Sequence, residues 1–296
     1  MAIQRVTQGM MSQQSLRALQ AGLDKMSSLQ EQLSTGKILN RPSDSPTDTT
    51  AAMRLRASLA DNAQYARNAN DGDAWLTQID SALQTANDSV LRARDLALQG
   101  ANQGGSGQSA LNALASEVDQ IRAGLIDTAN STYLGRPIFG GVTTGSQAYD
   151  ASGTFVGTAG AVNRTIAAGT SVRVDTDGNA AFGPAGNSVF DHLAALSTAL
   201  RSGDQTGIST AVTALSADQT QIGVAQTDVG SRQSRIEAAL NSNAAAQNQL
   251  TSSLSKVEDA DMPSVIVSLQ TQQTAYQASL AATAKVMQPS LLDFLR

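Results

Sequence analysis

Three stretches of the chain hold residue types that do chemistry in other proteins. Asp175-Thr176-Asp177-Gly178-Asn179 offers side-chain oxygens at the alternating spacing of a calcium loop. Such a loop needs glycine at its sixth position and glutamate at its twelfth. Here glycine stands fourth (Gly178) and again twelfth (Gly186), so a plain β-turn is expected. Ser34-Thr35-Gly36-Lys37 has the end of a phosphate-binding loop, but Glu31 occupies the place of the earlier glycine and Ile38 follows the lysine. A helix C-cap at Gly36 accounts for the residue more simply. His192 is the single histidine, with Asp191 and Ser188 close by in sequence. Adjacent residues do not share a helix face, so these three do not make a catalytic triad. One histidine and no cysteine leave no zinc site and no thiol chemistry. Trp75 flanks an apolar stripe and reads as a core anchor, and the three glycosylation-type triplets at Asn87, Asn130 and Asn163 carry no weight. No cofactor and no catalytic activity are expected.

The elements around these residues are mostly helical. Six prolines divide 296 residues, and none falls between 47 and 136 or between 185 and 262. Proline inside a helix costs about 3 kcal/mol, so both stretches are free to be long helices. Apolar residues recur there at alternating steps of three and four: Leu76, Ile79, Leu83, Ala86, Val90, Ala93, Ala97, then Leu111, Leu114, Val118, Ile121, Leu125. Further stripes are Ile236, Leu240, Asn243 and, at the two ends, Leu16, Leu19, Leu23, Met26, Leu29, Leu33 and Ile266, Leu269, Gln273, Tyr276, Leu280, Ala284, Met287, Leu291. That repeat is the seam of a coiled coil or long bundle. Ser45-Pro46-Thr47-Asp48 reads as a capping box with proline at the first helical position, opening a helix to about Gln99; a second runs from near Ser109 to Asn130.

The middle of the chain is different. Eleven of the 24 glycines lie between Gly135 and Gly186, and six of the ten aromatic residues sit in or beside that segment. Runs at 162–166 and 171–175 read as short strands, Asp177-Gly178 as a hairpin turn, and 180–182 as a returning strand. The fold class is mainly α: a long coiled-coil or helical bundle built from the N- and C-terminal halves, with a small inserted β-rich domain at 136–188. Its entry and exit, near Gly140-Gly141 and Gly186-Asn187, read as flexible, so about 142–186 is expected to be removable without unfolding the helices. The expected divisions are 1–40 with 262–296 as a terminal coiled coil, 41–135 with 189–261 as a long-helix rod, and 136–188 as the β-rich part.

Composition narrows the function. With 20 basic and 25 acidic residues, net charge −5, the chain has no excess for a phosphate backbone, so nucleic acid is not an expected partner. No apolar run approaches a membrane span, and the N-terminus lacks the apolar core of a cleaved signal peptide. Two narrow stripes at opposite ends of one chain, each near the length at which a lone helix is marginal, gain much by pairing with each other and with other copies, and an ordinary bundle within one chain fits the same periodicity equally well. In a free chain, 1–35 and 262–296 are expected to be largely unfolded, because one pair buries little against the entropy of ordering.

Two long motifs carry a resemblance. Leu33-Ser34-Thr35-Gly36-Lys37-Ile38-Leu39-Asn40-Arg41-Pro42-Ser43-Asp44-Ser45-Pro46 is similar to the signature after the first helix of bacterial flagellins and their relatives. The run from Val257-Glu258-Asp259-Ala260-Asp261 through Gln273-Thr274-Ala275-Tyr276 to Leu291-Leu292-Asp293-Phe294-Leu295 is similar to the end of the same family. The opening Arg5-Val6-Thr7-Gln8-Gly9-Met10-Met11, and Phe139-Gly140-Gly141 leading out of the helices, resemble the family's hook–filament junction branch rather than flagellin itself. The resemblance implies a structural subunit of the flagellum, exported by the flagellar type III system and found outside the cell. It would link the hook-associated layer (FlgK) to the flagellin filament and seed filament growth. Assembly with neighbouring copies and these partners would use Leu16, Leu19, Leu23, Met26, Leu33, Ile266, Leu269, Tyr276, Leu280, Met287 and Leu291. An export chaperone would cover Leu269, Tyr276, Leu280 and Met287. Flagellin is the nearest alternative. A secreted enzyme or binding protein with its site in the β segment is a distant one, since that segment has only Arg136, Asp150, Arg164, Arg173, Asp175 and Asp177 to work with.

Overall fold

Seven helices and two small hairpins make up the computed structural model, which describes residues 8–102 and 107–286. In order they are α1 (Gln8–Thr35), α2 (Pro46–Asn102), α3 (Gln108–Ala129), β1 (Thr132–Tyr133), β2 (Arg136–Pro137), β3 (Asn163–Ala167), β4 (Thr170–Arg173), α4 (Gly178–Phe182), α5 (Val189–Ser202), α6 (Gln205–Glu258) and α7 (Met262–Val286). The chain divides into two units: 1–60 with 247–296, and 61–246.

In the unit 61–246 the core is a helical seam. Every residue of the α2 stripe from Leu76 to Ala97 is buried. The α3 stripe packs on α5, burying Leu111, Leu114, Val118 and Leu125 beside Phe190, Leu193, Leu196 and Leu200. The α6 contribution is Ile208, Leu215, Ile222, Val229 and Ile236, spaced seven residues apart and all fully buried. This heptad escaped the sequence reading, which placed its stripe only from Ile236 onward, although the spacing is plain once written out.

The segment 136–188 joins this core. Phe139, Tyr149, Phe182 and Phe190 are buried together, with Phe139–Phe182 and Tyr149–Phe182 edge to face at centroid distances of 4.9 and 5.9 Å. Ile166, Val172 and Val174 belong to the same continuous cluster as the helices. Gly72 shows how close the approach is: a Cβ there would stand 2.9 Å from Val174 Cγ1. The segment is therefore core, which reverses the expectation that it is removable. β3 and β4 pair antiparallel, as the sequence indicates, with an irregularity between Thr165 and Ala167. The returning strand at 180–182 is instead the short helix α4. Asp177 caps it by accepting from Asn179 N at 3.0 Å, so the Asp-Gly pair starts a helix rather than turning a hairpin.

The residues singled out for chemistry hold this unit together. Asp175 is buried and accepts from Val162 N at 2.7 Å and from Arg173 Nε and Nη2 at 2.9 and 2.8 Å. Ser188 and Asp191 form a capping box at the start of α5. His192 Nδ1 lies 2.7 Å from Asp218 on α6, and Nε2 lies 3.2 Å from Asn187 Oδ1. Serine, histidine and aspartate here tie helices together and do not converge on a reacting atom. Among the described residues no cluster of three or more His, Asp or Glu side chains is arranged to hold a metal ion.

Burial raises the Asp218 carboxyl above its ordinary value of 3.8, and the hydrogen bond from His192 opposes the rise. The folded state thus holds that proton more tightly than the unfolded chain. This group makes stability fall as pH rises from 3.8 through the raised value. Asp218→Asn keeps a hydrogen-bonding side chain and is expected to flatten that part of the stability–pH curve. His192→Ala strands the buried carboxylate and is expected to cost about 3 kcal/mol near neutral pH. Urea melts of both variants from mildly acidic to neutral pH check this; a His192→Ala protein as stable as the parent would refute it.

Candidate assembly surface

The unit formed by 1–60 and 247–296 is built on α1 and α7, two helices of 28 and 25 residues. They lie antiparallel: Gly22, mid-α1, faces Gln272 and Tyr276, mid-α7, while Lys37 bridges Asp259 in antiparallel sense just beyond the first helix. Ser15, Leu19, Gly22, Met26, Leu29 and Leu33 make the inward row of α1, with Leu29 the most deeply buried. Val265, Leu269, Gln272, Tyr276 and Thr283 make that of α7. The α1 row steps by three and four throughout; the α7 row does so as far as Tyr276 and then skips a full heptad to Thr283. Gly22 sits at the contact between the helices: Gln272 Nε2 donates to its carbonyl at 3.3 Å, and a Cβ there would make an ordinary contact with the Tyr276 ring at 3.4 Å. The two helices are formed and paired, where the sequence had suggested unfolded ends.

One row on each helix is all that the pair buries. Leu16 and Leu23, seven residues apart, stand exposed on α1, as does Met10. On α7, Ile266 and Leu280 are exposed, and Val267 is exposed to 63%. The candidate residues therefore fall into two groups. Leu19, Met26, Leu33, Leu269 and Tyr276 are half-buried, while Leu16, Leu23, Ile266 and Leu280 face solvent. Met287 and Leu291 lie outside the described residues. The chaperone set divides in the same way, with Leu269 and Tyr276 half-buried and Leu280 exposed. Leu29 and Val265, buried on the inward rows, were not among the candidates; both fit the heptad spacing and were legible from it.

A buried carboxylate fixes the base of the helix pair. Glu258, at the end of α6, has a side chain only 2% exposed, yet Lys37 Nζ reaches its Oε2 at 2.8 Å and Arg56 Nη2 its Oε1 at 2.5 Å. Its backbone takes part as well: Ile38 N donates to Glu258 O at 2.7 Å, and Ala260 N to Gly36 O at 2.8 Å. Gly36, with φ of 70°, ends α1 in the left-handed conformation that a C-cap glycine provides. Asp44 receives Asn40 N at 3.0 Å and Arg41 N at 2.8 Å, and Ser45 caps α2 by accepting from Asp48 N at 3.3 Å. The signature after the first helix is thus a pinned crossing of two chain segments.

The asymmetry of this ion cluster is testable. Lys37 and Arg56 are half-exposed and would solvate alone, whereas Glu258 would not. Glu258→Gln is expected to cost about 1 kcal/mol. Lys37→Ala with Arg56→Ala leaves the carboxylate buried and unpaired, at about 3 kcal/mol. Amide exchange at Ile38 and Ala260 reads the local loss. Equal protection in the two variants would contradict the account.

Comparison with known proteins gives these features a context. The bacterial flagellin N-terminal helical region matches residues 6–144, and the bacterial flagellin C-terminal helical region matches residues 206–295. Flagellar hook-associated protein 3 of Salmonella typhimurium is 30% identical over 154 residues, 49% of this chain and 46% of that protein. Flagellar hook-associated protein 3 of Escherichia coli is 26% identical over 198 residues, 64% of this chain and 57% of that protein. The chain thus spans about half the length of these curated relatives. Among solved structures, FlgL of Bacillus cereus superposes with a TM-score of 0.61 at 26% identity, covering 68% of this chain and 99% of that one. The two family regions match in their proper order, one at each end, and together take in well over half of the sequence: the chain belongs to the bacterial flagellin family.

Proposed function

We propose that the chain is a structural subunit of the bacterial flagellum placed at the junction between hook and filament, where it offers flagellin a surface on which to start. The observation that carries this reading is the exposed apolar row left on each of α1 and α7. Among the described residues Leu16, Leu23, Ile266 and Leu280 are exposed heptad residues without a partner, which is what a subunit of a coiled-coil assembly needs. Similarity to proteins named hook-associated protein 3 selects the junction over the filament. The partners in this reading are neighbouring copies, the hook-associated layer and flagellin. Export through the flagellum's own type III apparatus belongs to it too, with a chaperone on the α7 face around Leu280. The layering it assigns, from inside outward, is 1–40 with 262–296, then 41–135 with 189–261, then 136–188. The role is structural: His192, Asp175 and Asp218 are all engaged in bonds that hold the fold.

Immunogold labelling of isolated flagella tests the placement. A single band where hook meets filament is the expected result. Label along the whole filament would make the chain a flagellin, and no label would remove it from the flagellum.

A further inference from the structure

The hairpin β1–β2 carries an oddity that the fold does not use. Thr132 pairs with Pro137 and Tyr133 with Arg136, so the turn is the two residues Leu134 and Gly135, with φ of 50° and 77°. A turn of this kind suits asparagine or glycine at both places. Leu134 is the one non-glycine residue with positive φ among the described residues, and it is 81% exposed. A branched side chain in the left-handed region is strained, and an exposed leucine contributes nothing to the core. The hairpin beneath it is firmly held. The Tyr133 ring lies 5.4 Å from that of the buried Trp75, and the Arg136 guanidinium stands over the same indole at 5.7 Å. A rigid base that presents a strained apolar tip to solvent is a shape made for contact.

A matching hollow lies elsewhere on the same unit. The groove between α5 and the start of α6 has a cavity of about 590 Å³, lined by Ala195, Thr198, Ala199, Gly207, Thr210 and Ala214. It is mostly apolar, its side chains are small enough to admit another backbone, and it has room for a leucine together with its turn. Asp204 stands at its edge. Among the described residues Asp204 has no cationic partner, and Arg136, two residues from Leu134, has no carboxylate partner. The two surfaces thus complement each other in charge as well as in polarity.

They cannot meet within one chain. α3 separates them: Gln108 at its start donates to the carbonyl of Arg201 at the groove end, and the hairpin begins just after its last residue. Twenty-two helical residues put the hairpin about 30 Å along the axis from the Arg201 end of the groove, and the groove's nearer end at His192 is still about 15 Å off. We infer that Leu134 of one copy seats in the α5–α6 groove of a second copy, with Arg136 brought to Asp204. A contact between two different patches of identical chains propagates into a ring or an open helix, as a tubular structure requires. This inference rests on the proposed assembly of the chain with copies of itself.

The chain has no cysteine, so a paired-cysteine test has no background. Cells carrying only the Leu134→Cys, Thr210→Cys double variant are oxidised, and the chain is followed on non-reducing gels. Products at whole-number multiples of the chain mass, from two copies upward, reversed by reductant and absent from either single variant, are expected. A product whose mass is not such a multiple would mean that a different protein takes the groove or the knob. No product from cells with normal filaments would overturn the contact while leaving the assembly reading intact. A chain absent from isolated flagella altogether would overturn both. Leu134→Asn gives a second measure that does not depend on oxidation. It relieves the turn, so the melting temperature of the purified chain should hold or rise by about 2 °C, while filaments per cell fall at least roughly tenfold. Unchanged filament numbers with Leu134→Asn would refute the proposal.

Discussion

Replacing residues 142–186 with a short Gly/Ser bridge is expected to lower the melting temperature by more than roughly 10 °C. The deletion takes Ala148, Tyr149, Val162, Ile166, Val172, Val174, Ala181 and Phe182 out of a continuous buried cluster. Each large apolar side chain in such a place contributes about 1.5–3 kcal/mol by burial. Phe139 and Phe190 would remain on the helical body with one side newly exposed. Polar groups are stranded as well. Asn243, buried on α6, donates to Ile166 O at 3.0 Å, and Arg232 donates to Asp175 O at 2.7 Å. An unpaired buried donor adds about 1–3 kcal/mol. For a unit of this size about 1 kcal/mol shifts the melting point by roughly 2–4 °C, so the sum exceeds the threshold comfortably. Circular dichroism melts of parent and deletion give the answer. A melt unchanged in midpoint and steepness would show that the helices stand without the segment. Phe182→Ala, expected to cost about 3–5 kcal/mol, separates loss of the aromatic cluster from damage done by the bridge itself.

That result would reverse what composition suggested, and the reason is instructive. Glycine and aromatic enrichment correctly marked 136–188 as different in local structure. It did not reveal that these aromatics pack on one another inside the same core as the helices, where Phe139, Tyr149, Phe182 and Phe190 form one buried cluster. Local signals with a physical mechanism were read well. The cap at Ser45, the break at Gly36 and the α2 stripe all stand as the spacing implied. Where two mechanisms compete for the same residues, the tertiary context decided. Asp177-Gly178 suits a hairpin turn or a helix start, and packing of Ala181 and Phe182 into the core selects the helix. Partners distant in sequence were not legible. Nothing around His192 points to Asp218, 26 residues on, and nothing in Glu258 announces one cation just after α1 and another inside α2. On the candidate surface, periodicity found the stripes but did not separate inward from outward residues. Leu16 and Leu19 belong to one stripe, yet one is exposed and the other half-buried, because a single partner helix covers only part of a heptad face.

That separation gives the second large effect. Leu280→Asp is expected to abolish filament attachment while moving the melting temperature of the purified chain by no more than about 2 °C. Leu280 is 44% exposed, whereas Val265 on the same helix is buried against the pair. In the free chain a carboxylate at 280 therefore keeps its water, and the inward row of α7 is untouched. In an assembly that covers the outward row, the same carboxylate is buried without a cation, at a cost of several kcal/mol per subunit. The cost recurs in each copy, so the junction should fail as a whole instead of weakening by degrees. Two measurements decide it: melting of the purified variant, and electron microscopy of cells that carry only that variant. A stable chain on bare hooks is the expected pair of results. Normal filaments would sink the claim that this row is covered by neighbours. A large drop in melting temperature would show instead that Leu280 serves the α1–α7 pair, and the outward row would shrink to Leu16, Leu23 and Ile266.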